Sequence, residues 1–369
     1  MNGIPPKEES RARIFRKASA TEFHAALSSA RLVDKGVEVN CDLRPSYDGG
    51  ECYLAAGGLA GFCVISRELT GLFNVSAHRG LGEVGLRLAV GIGADHLDCF
   101  EGKLSEMYRK FGFYEVKREK NWYEGGPDVI FMERRAPAQT VLHLFPGGGM
   151  TTIGAQQTGK FSVVRGPDVL HGWDVRGWAG MRGKFDGVIG GPPCQSHSNA
   201  SELNGTDKID CIPDFVRIVE ALDPKWAVME CVVGAQPAAP AWPFADISDV
   251  HVGGLTKRVR RFWLRGIPPP PGSATSHDSD YSDAAPTVIA TSHKNRGPAG
   301  AAKGFHQMDM YQAAVLQGRE EWLTVFLQNA PKGLSDTALN VLAVHMLGNG
   351  PTRAMDKYIF DYIANYYCI

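Results

Sequence analysis

VLHLFPGGGM, residues 141–150, decides the fold of the larger part of this chain. Residues 141–145 form a continuous apolar run of strand length, and the Pro-Gly-Gly-Gly that follows breaks it sharply. TTIGAQQTG (151–159) then starts a helix, with its threonines as candidate caps. A glycine turn between strand and helix lets a nucleotide-like ligand approach bare backbone. FSVV (161–164) is the next strand and ends near Asp168, whose carboxylate stands where acidic residues take ribose hydroxyls. Taken alone, the same spacing also fits a tight structural turn.

The pattern continues outward. FDGVIGG (185–191) is a strand, IPDFVRIVEALDPK (212–225) an amphipathic helix, WAVMEC (226–231) a strand and RRFWLRG (260–266) another. Strands alternating with helices imply a parallel, doubly wound sheet covered on both faces, an α/β class of fold. LSDTALNVLAVHML (334–347) and AMDKYIFDYIANYY (354–367) read as helices. A boundary falls near ERRAPAQT (133–140). Before it, ELTGLFNV (68–75) and HLDCF (96–100) read as strands and AHRGLGEVGLRLAV (77–90) turns through glycines into a helix. LSEMYRKFGF (104–113) is a helix stopped by Gly112. YEVKRE (114–119) and DVIFMERR (128–135) alternate as edge strands do.

Composition bounds the rest. The formal net charge of −1 over 369 residues advertises no global basic field, so nucleic-acid contacts would rest on local patches. Eight scattered cysteines form no CxxC pair, which argues against a zinc ribbon or disulfide scaffold and for a reducing, cytoplasmic setting. The histidines show no metal-ligand spacing, and no segment has the apolar length of a membrane span.

GVIGGPPCQSHSN (187–199) presents Cys194 at a stiff, glycine-flanked corner after a strand. Glu230 and the cluster TKRVRR (256–261) also fall at or near strand ends, where a doubly wound sheet forms its ligand crevice. Each has an ordinary explanation by itself: a buried thiol, a strand-end carboxylate, a solvated basic face.

Together they resemble the DNA cytosine-5 methyltransferases, in motif order, over about residues 140–369. LFPGGGM is similar to that family's FxGxG cofactor turn, with Phe145, Gly147 and Gly149 in place. VVRGPD sets Asp168 at the acidic ribose contact, and GWDV offers Asp174 for the adenine amine. GGPPCQS is very close to the nucleophile motif, MECVVG resembles Glu-Asn-Val, and TKRVR resembles Gln-x-Arg-x-Arg with Arg258 and Arg260 retained. LQGREEW resembles the Leu-Gln-Gly-Phe-Pro stretch, and LGNGPTRAM brings Asn349 to the cofactor. The resemblance implies a Rossmann-like domain binding S-adenosyl-L-methionine and methylating C5 of a flipped cytosine in DNA. Cys194 would add to ring carbon C6, Glu230 would grip N3 and the amine, and one of Arg258 and Arg260 would hold the base.

The sequence departs from the family at Cys231, Thr256 and His197, which stand for Asn, Gln and an apolar residue, and the stretch from Asp168 to Cys194 is short. The target-reading segment, residues 267–330, is reduced. Much of it is the low-complexity PPPPGSATSHDSDYSDAAP (268–286), and SHKNRGPAGAAKG (292–304) suits phosphate contacts better than base readout. A short recognition sequence is expected, with residues 331–369 returning to the catalytic domain (137–369).

Residues 20–135 resemble the GNAT acetyltransferases, placing a GNAT-like domain at 1–136. Gly80 and Gly82 fit that family's pyrophosphate loop, Ala77 takes its Arg/Gln position, and MYRKFGF carries Tyr108 as a candidate acid. The resemblance implies acetyl-CoA as a ligand; DNA contacts or pairing of two chains into a homodimer are alternative roles for this domain. For the whole chain, an RNA substrate, or an acyltransferase or binding protein with an inert methyltransferase half, are the competing readings. A compact fusion with a trimmed reader suits a phage or a restriction-modification setting.

Overall fold

Two β-sheets with their own helices make up this computed structural model, which describes residues 4–134, 138–168, 173–178, 180, 182–193, 210–238, 240–271, 284–290, 292–294 and 307–369. The first sheet contains β1 (Phe15–Ala18), β2 (Glu51–Ala55), β3 (Ala60–Ile65), β4 (Glu68–Asn74), β5 (His96–Phe100), β6 (Phe113–Glu119) and β7 (Val129–Arg134), in the order β1-β2-β3-β4-β5-β7-β6. Its neighbours pair antiparallel except β4 with β5. Helices α1 (Lys7–Ala12), α2 (Ala20–Val33), α3 (Lys35–Asn40), α4 (Leu81–Gly91) and α5 (Lys103–Arg109) accompany it. Ser19 and Glu22 form a reciprocal capping box that starts α2. Gly80, at φ 86°, takes the left-handed corner that starts α4.

β7 was expected at an edge and instead lies between β5 and β6, because Ile130 and Met132 are buried in the core with Leu97 and Phe113. β6 is the edge, and its residues after Tyr114 are exposed. β1, β2, β3, α2 and α3 were not read from the sequence at all.

The second sheet contains β8 (Gln139–Leu144), β9 (Phe161–Arg165), β10 (Gly187–Gly190), β11 (Trp226–Cys231), β12 (Phe244–Ser248) and β13 (Val259–Arg265), in the order β12-β13-β11-β10-β8-β9. β9, β8, β10 and β11 run parallel, and β13 and β12 add an antiparallel hairpin at one edge. Its helices are α6 (Met150–Gln157), α7 (Ile212–Leu222), α8 (Met310–Gln317), α9 (Glu320–Asn329), α10 (Asp336–Asn349) and α11 (Arg353–Tyr366).

Both faces are covered, as the strand pattern required. Met355, Ile359, Phe360 and Ile363 of α11 pack with Val141, Phe161, Trp226 and Val228 on one face. Phe215, Ile218 and Leu222 of α7 pack with Leu142, Leu144, Val188 and Met229 on the other. The Trp226 indole is fully buried and donates to Gln139 Oε1 at 2.8 Å. It fills the space beside Gly187, where a Cβ would lie 2.2 Å from the ring, so no other residue fits there.

The threonine caps expected for α6 are absent. Gly149, at φ 76°, holds the N-cap position with no side-chain cap, and Thr152 points inward, its Oγ1 2.7 Å from His143 Nδ1. Part of the interval assigned to target reading is also helical. α8 and α9 bury Leu316, Trp322 and Leu323 against Met150, Val344 and Leu347 beside the glycine turn.

Candidate active site

Register sets the geometry. Leu144, Gly190 and Met229 are side by side across β8, β10 and β11. The next residue on each strand, Phe145, Gly191 and Glu230, therefore forms one rim at the carboxyl ends. β9 lies on one side of β8 and β10 on the other, so the chain reverses its direction of travel across the sheet here. A crevice opens at such a switch point.

On the β8 side, the backbone takes three left-handed steps in five residues: Phe145 at φ 52°, Gly147 at 49° and Gly149 at 76°. The Gly147 amide donates to Asp168 Oδ2 at 2.8 Å, and Asp168 is nearly buried at 7% exposure. Among the described residues a Cβ on Gly147 would meet no atom within 4 Å, whereas one on Gly148 would lie 3.1 Å from the Trp322 ring and one on Gly149 2.3 Å from the Arg165 guanidinium. Trp322 Nε1 donates to the Gly148 carbonyl at 2.7 Å, and Arg319 Nη1 to the Met150 carbonyl at 3.1 Å. Arg319 is fully buried and pairs with Asp356, which lies against Gly154 of α6. These two supports from α9 and the residue before it were missed. The signal was an aromatic and a charge sharing the short stretch REEW.

Asp174 caps the 3₁₀ turn Val175–Gly177 by accepting from Arg176 N. It also pairs with the Arg176 side chain at 2.7 Å, and that bond holds its carboxyl below the usual carboxylate range. Asn349 closes α10, exposed, with Nδ2 3.0 Å from His345 Nε2. Gly350 follows it, and a Cβ there would lie 2.9 Å from Met150 Cε, so this chain segment runs against the start of α6.

On the β11 side, Glu230 is largely buried, and Arg260 Nε stands 2.8 Å from its Oε1. That N–H is not aligned for a hydrogen bond, and Oε1 has no hydrogen-bond partner among the described residues. Burial pushes the Glu230 carboxyl above its ordinary value, and Arg260, then Arg258, pull against it. A Cβ on Gly191 would lie 3.1 Å from Glu230 Oε2, so the glycine lets β10 pass directly beside the carboxylate.

The two candidate arginines differ sharply. Arg258 is 1% exposed, and its guanidinium donates to the carbonyls of Val288 at 2.7 Å and Gly348 at 2.9 Å. Arg260 faces the rim. Arg261, next to it, pairs with Asp246 and lies over the Phe244 ring at 4.0 Å, on the opposite side of the strand. Thr256 is buried and donates through Oγ1 to Asp249 Oδ2 at 2.7 Å, while Cys231 is buried in the core. Cys194 and His197 lie outside the described residues. Tyr108 is buried, and burial pushes its phenol far above the ordinary range, which does not suit an acid presented to a substrate.

Among the described residues no group of three or more His, Cys, Asp or Glu side chains is arranged to hold a metal ion. None of the described helices is long and apolar enough to cross a membrane.

Comparison with known proteins adds a direct link for the middle of the chain. Residues 174–238 match the model of the family described as C-5 cytosine-specific DNA methylase. The type II methyltransferase M.HgiGI of Herpetosiphon aurantiacus is 44% identical over 50 residues, and M.NgoPII of Neisseria gonorrhoeae is 43% identical over 53. Those stretches are 13% and 14% of this chain, and the chain spans only 40% and 16% of the two relatives' lengths. Among solved structures, the S. pombe Dnmt2 methyltransferase aligns with TM-score 0.41 and 12% identity over 63% of this chain and all of that one.

Proposed function

We propose that the chain is an S-adenosyl-L-methionine-dependent DNA cytosine-5 methyltransferase. One observation carries this reading: Glu230 and Arg260 stand as a largely buried pair at the rim, with Glu230 against Gly191, three residues before Cys194. Cys194 itself lies outside the described residues, three positions after Gly191 in the sequence.

The site residues suit each part of the chemistry. At Gly147 the turn has no described atom within 4 Å of a would-be Cβ, and Asp168 adjoins it, which fits a ribose-bearing ligand approaching bare backbone there. When bound there, S-adenosyl-L-methionine supplies an electrophilic sulfonium methyl. Cys194 Sγ bonds to C6 of an extruded cytosine, and the displaced electron pair runs to the N3 side of the ring. Glu230, whose hold on its proton burial strengthens while Arg260 pulls against it, would donate to N3 and balance that charge. The resulting enamine carbon, C5, would take the methyl as the S–CH3 bond breaks, its electron pair leaving on the neutral thioether. Loss of the C5 proton then expels the thiolate and regenerates Cys194. Arg260 stands 2.8 Å from Glu230 Oε1 and orients the carboxyl at the rim. Arg258 acts instead as a scaffold that ties β13 to residues 288 and 348. Asp174 and Asn349 lie on surfaces flanking the turn and reach the donor only if their present partners, Arg176 and His345, release them.

Residues 1–136 are proposed as a GNAT-like domain serving as a scaffold. The parallel β4–β5 pair with α4 entering from Gly80 supports this, and buried Tyr108 speaks against acyl transfer. Target reading falls to residues 267–309, since 310–329 are committed to α8 and α9. Transfer of tritiated methyl groups to duplex DNA, compared between wild type and Cys194→Ser, tests the assignment. Retained transfer in the variant excludes the thiol mechanism, and transfer to structured RNA in preference to DNA moves the substrate class.

A further inference from the structure

The seam between the two sheets' helices holds a row of largely buried charges that does not balance. Arg13 pairs with Glu320 at 3.1 Å, Arg87 with Glu321 at 3.3 Å, and Arg319 with Asp356. Gln157 Nε2 adds a bond to Glu321 Oε1 at 3.2 Å. Arg353 is the fourth guanidinium beside three carboxylates, each already paired with another arginine, although Glu320 Oε2 is buried with no hydrogen-bond partner among the described residues. Arg353 Nε is buried with no hydrogen-bond partner among the described residues. Burial, with Arg87 close behind, pulls the Arg353 pKa down to about 10, and Glu321 offsets this only in part. A largely buried guanidinium left one negative charge short is costly, and such groups ordinarily pair.

Arg353 also lines a cavity of about 410 Å³ at this seam. Arg109 and Lys110 line it from the first unit, and Lys160 and Lys357 from the second. Against these five cations the wall carries the acids Glu83 and Asp361 and the terminal residue Ile369; Asp361 pairs with Lys357, Lys160 Nζ donates to Ile369 O at 2.7 Å, and Arg109 pairs with Glu115 at 3.6 Å. That leaves Lys110 and Arg353 facing Glu83 across the cavity. The glycine turn lies at the opposite end of α6, since the cavity touches Gly154, Gln157 and Thr158 near that helix's last turn.

We infer that this seam cavity is a binding site for a small phosphoryl-bearing anion, which pairs with Arg353 and completes the charge row joining the two units. An arginine fork matches phosphate oxygens two at a time, and the lysines suit a second negative charge. The site is independent of the methyl-transfer reading.

The test uses the full chain and inorganic phosphate, titrated at constant ionic strength against chloride, with thermal unfolding and calorimetry as readouts. Adenosine monophosphate and adenosine form two further arms, separating a free phosphate from a nucleotide's. Wild type should show a saturable rise in unfolding midpoint with phosphate. Arg353→Met should lose at least tenfold in phosphate affinity, while Lys332→Met, an exposed lysine elsewhere, keeps it. Without phosphate, Arg353→Met should be as stable as wild type or more so, since it removes an uncompensated charge. Arg353→Lys, which keeps the charge and loses the fork, should bind phosphate with intermediate affinity. Binding of the monophosphate but not of inorganic phosphate would assign the site to a nucleotide's phosphate. No saturable response to either in wild type, an undiminished response in Arg353→Met, or a phosphate-free Arg353→Met that unfolds well below wild type would each overturn the assignment.

Discussion

Replacing Arg258 and Arg260 separately by methionine should divide stability from catalysis. Arg258 is buried and makes two charge-assisted hydrogen bonds to carbonyls, at 2.7 and 2.9 Å. Such bonds contribute about 1.5–3 kcal/mol each. Methionine restores part of this, because it keeps an apolar stem and spares the cost of burying a cation. The net loss is roughly 2–4 kcal/mol, a large fraction of an ordinary stability of about 5–15 kcal/mol. For a chain of this size that lowers the unfolding midpoint by about 3–5 °C. Arg260→Met removes the cation beside Glu230, which answers by holding its proton more firmly. Its stability should fall by only about 1 kcal/mol, while methyl transfer falls by about 10² or more, the usual loss when one preorganised charge at a reacting centre is deleted. Circular dichroism melts and tritiated methyl transfer at a temperature where all variants are folded read the two effects. An Arg258→Met protein that melts with wild type yet has lost transfer, beside an Arg260→Met protein that keeps it, would refute the assignment.

Other consequences follow from the same contacts. Burial raises the Glu230 pKa above 4.5, so folded protein holds a proton that unfolded chain has already released as pH climbs past that value. The stability that this proton provides is complete below the unfolded pKa and is lost as pH rises through the raised folded pKa. Glu230→Gln should flatten that decline in urea midpoints measured against pH, and an unchanged slope would count against a protonated Glu230. Trp322→Phe deletes the donor to the Gly148 carbonyl, worth about 1 kcal/mol, and should weaken S-adenosyl-L-methionine about fivefold by calorimetry. Equal affinity would show that the turn needs no support from α9. Gly187→Ala forces a Cβ to 2.2 Å from the Trp226 ring and should cost about 1–3 kcal/mol in denaturant melts, with wild-type stability the contrary result.

β8, β10 and β11 were legible because they are almost wholly buried and read as nearly unbroken apolar runs. Phe145, Gly147 and Gly149 were identified from one turn whose positive φ values only small or strained residues tolerate. Glu230 was found by its place at a strand end. The arginines were found as a cluster, but their roles were not separable in sequence. Arg258 just before β13 and Arg260 within it are only two residues apart, and the partners that distinguish them come from residues 288, 348 and 230. β12 escaped notice because Phe244–Ser248 is a short edge strand whose signal lies in its pairing with β13. The support of the glycine turn by Arg319 and Trp322 is equally non-local, spanning some 170 positions of chain.

The most direct measurement of the central claim is intact-mass analysis after incubating the protein with S-adenosyl-L-methionine and duplex DNA in which cytosine carries fluorine at C5. Fluorine cannot leave as a proton does, so a thiol adduct at C6 that has accepted the methyl stays on the protein. Wild type should gain the mass of one methylated DNA strand, with the attachment mapping to Cys194, and Cys194→Ser should gain nothing. Methyl transfer to ordinary DNA with no adduct trapped, or an adduct that persists in Cys194→Ser, would contradict the account.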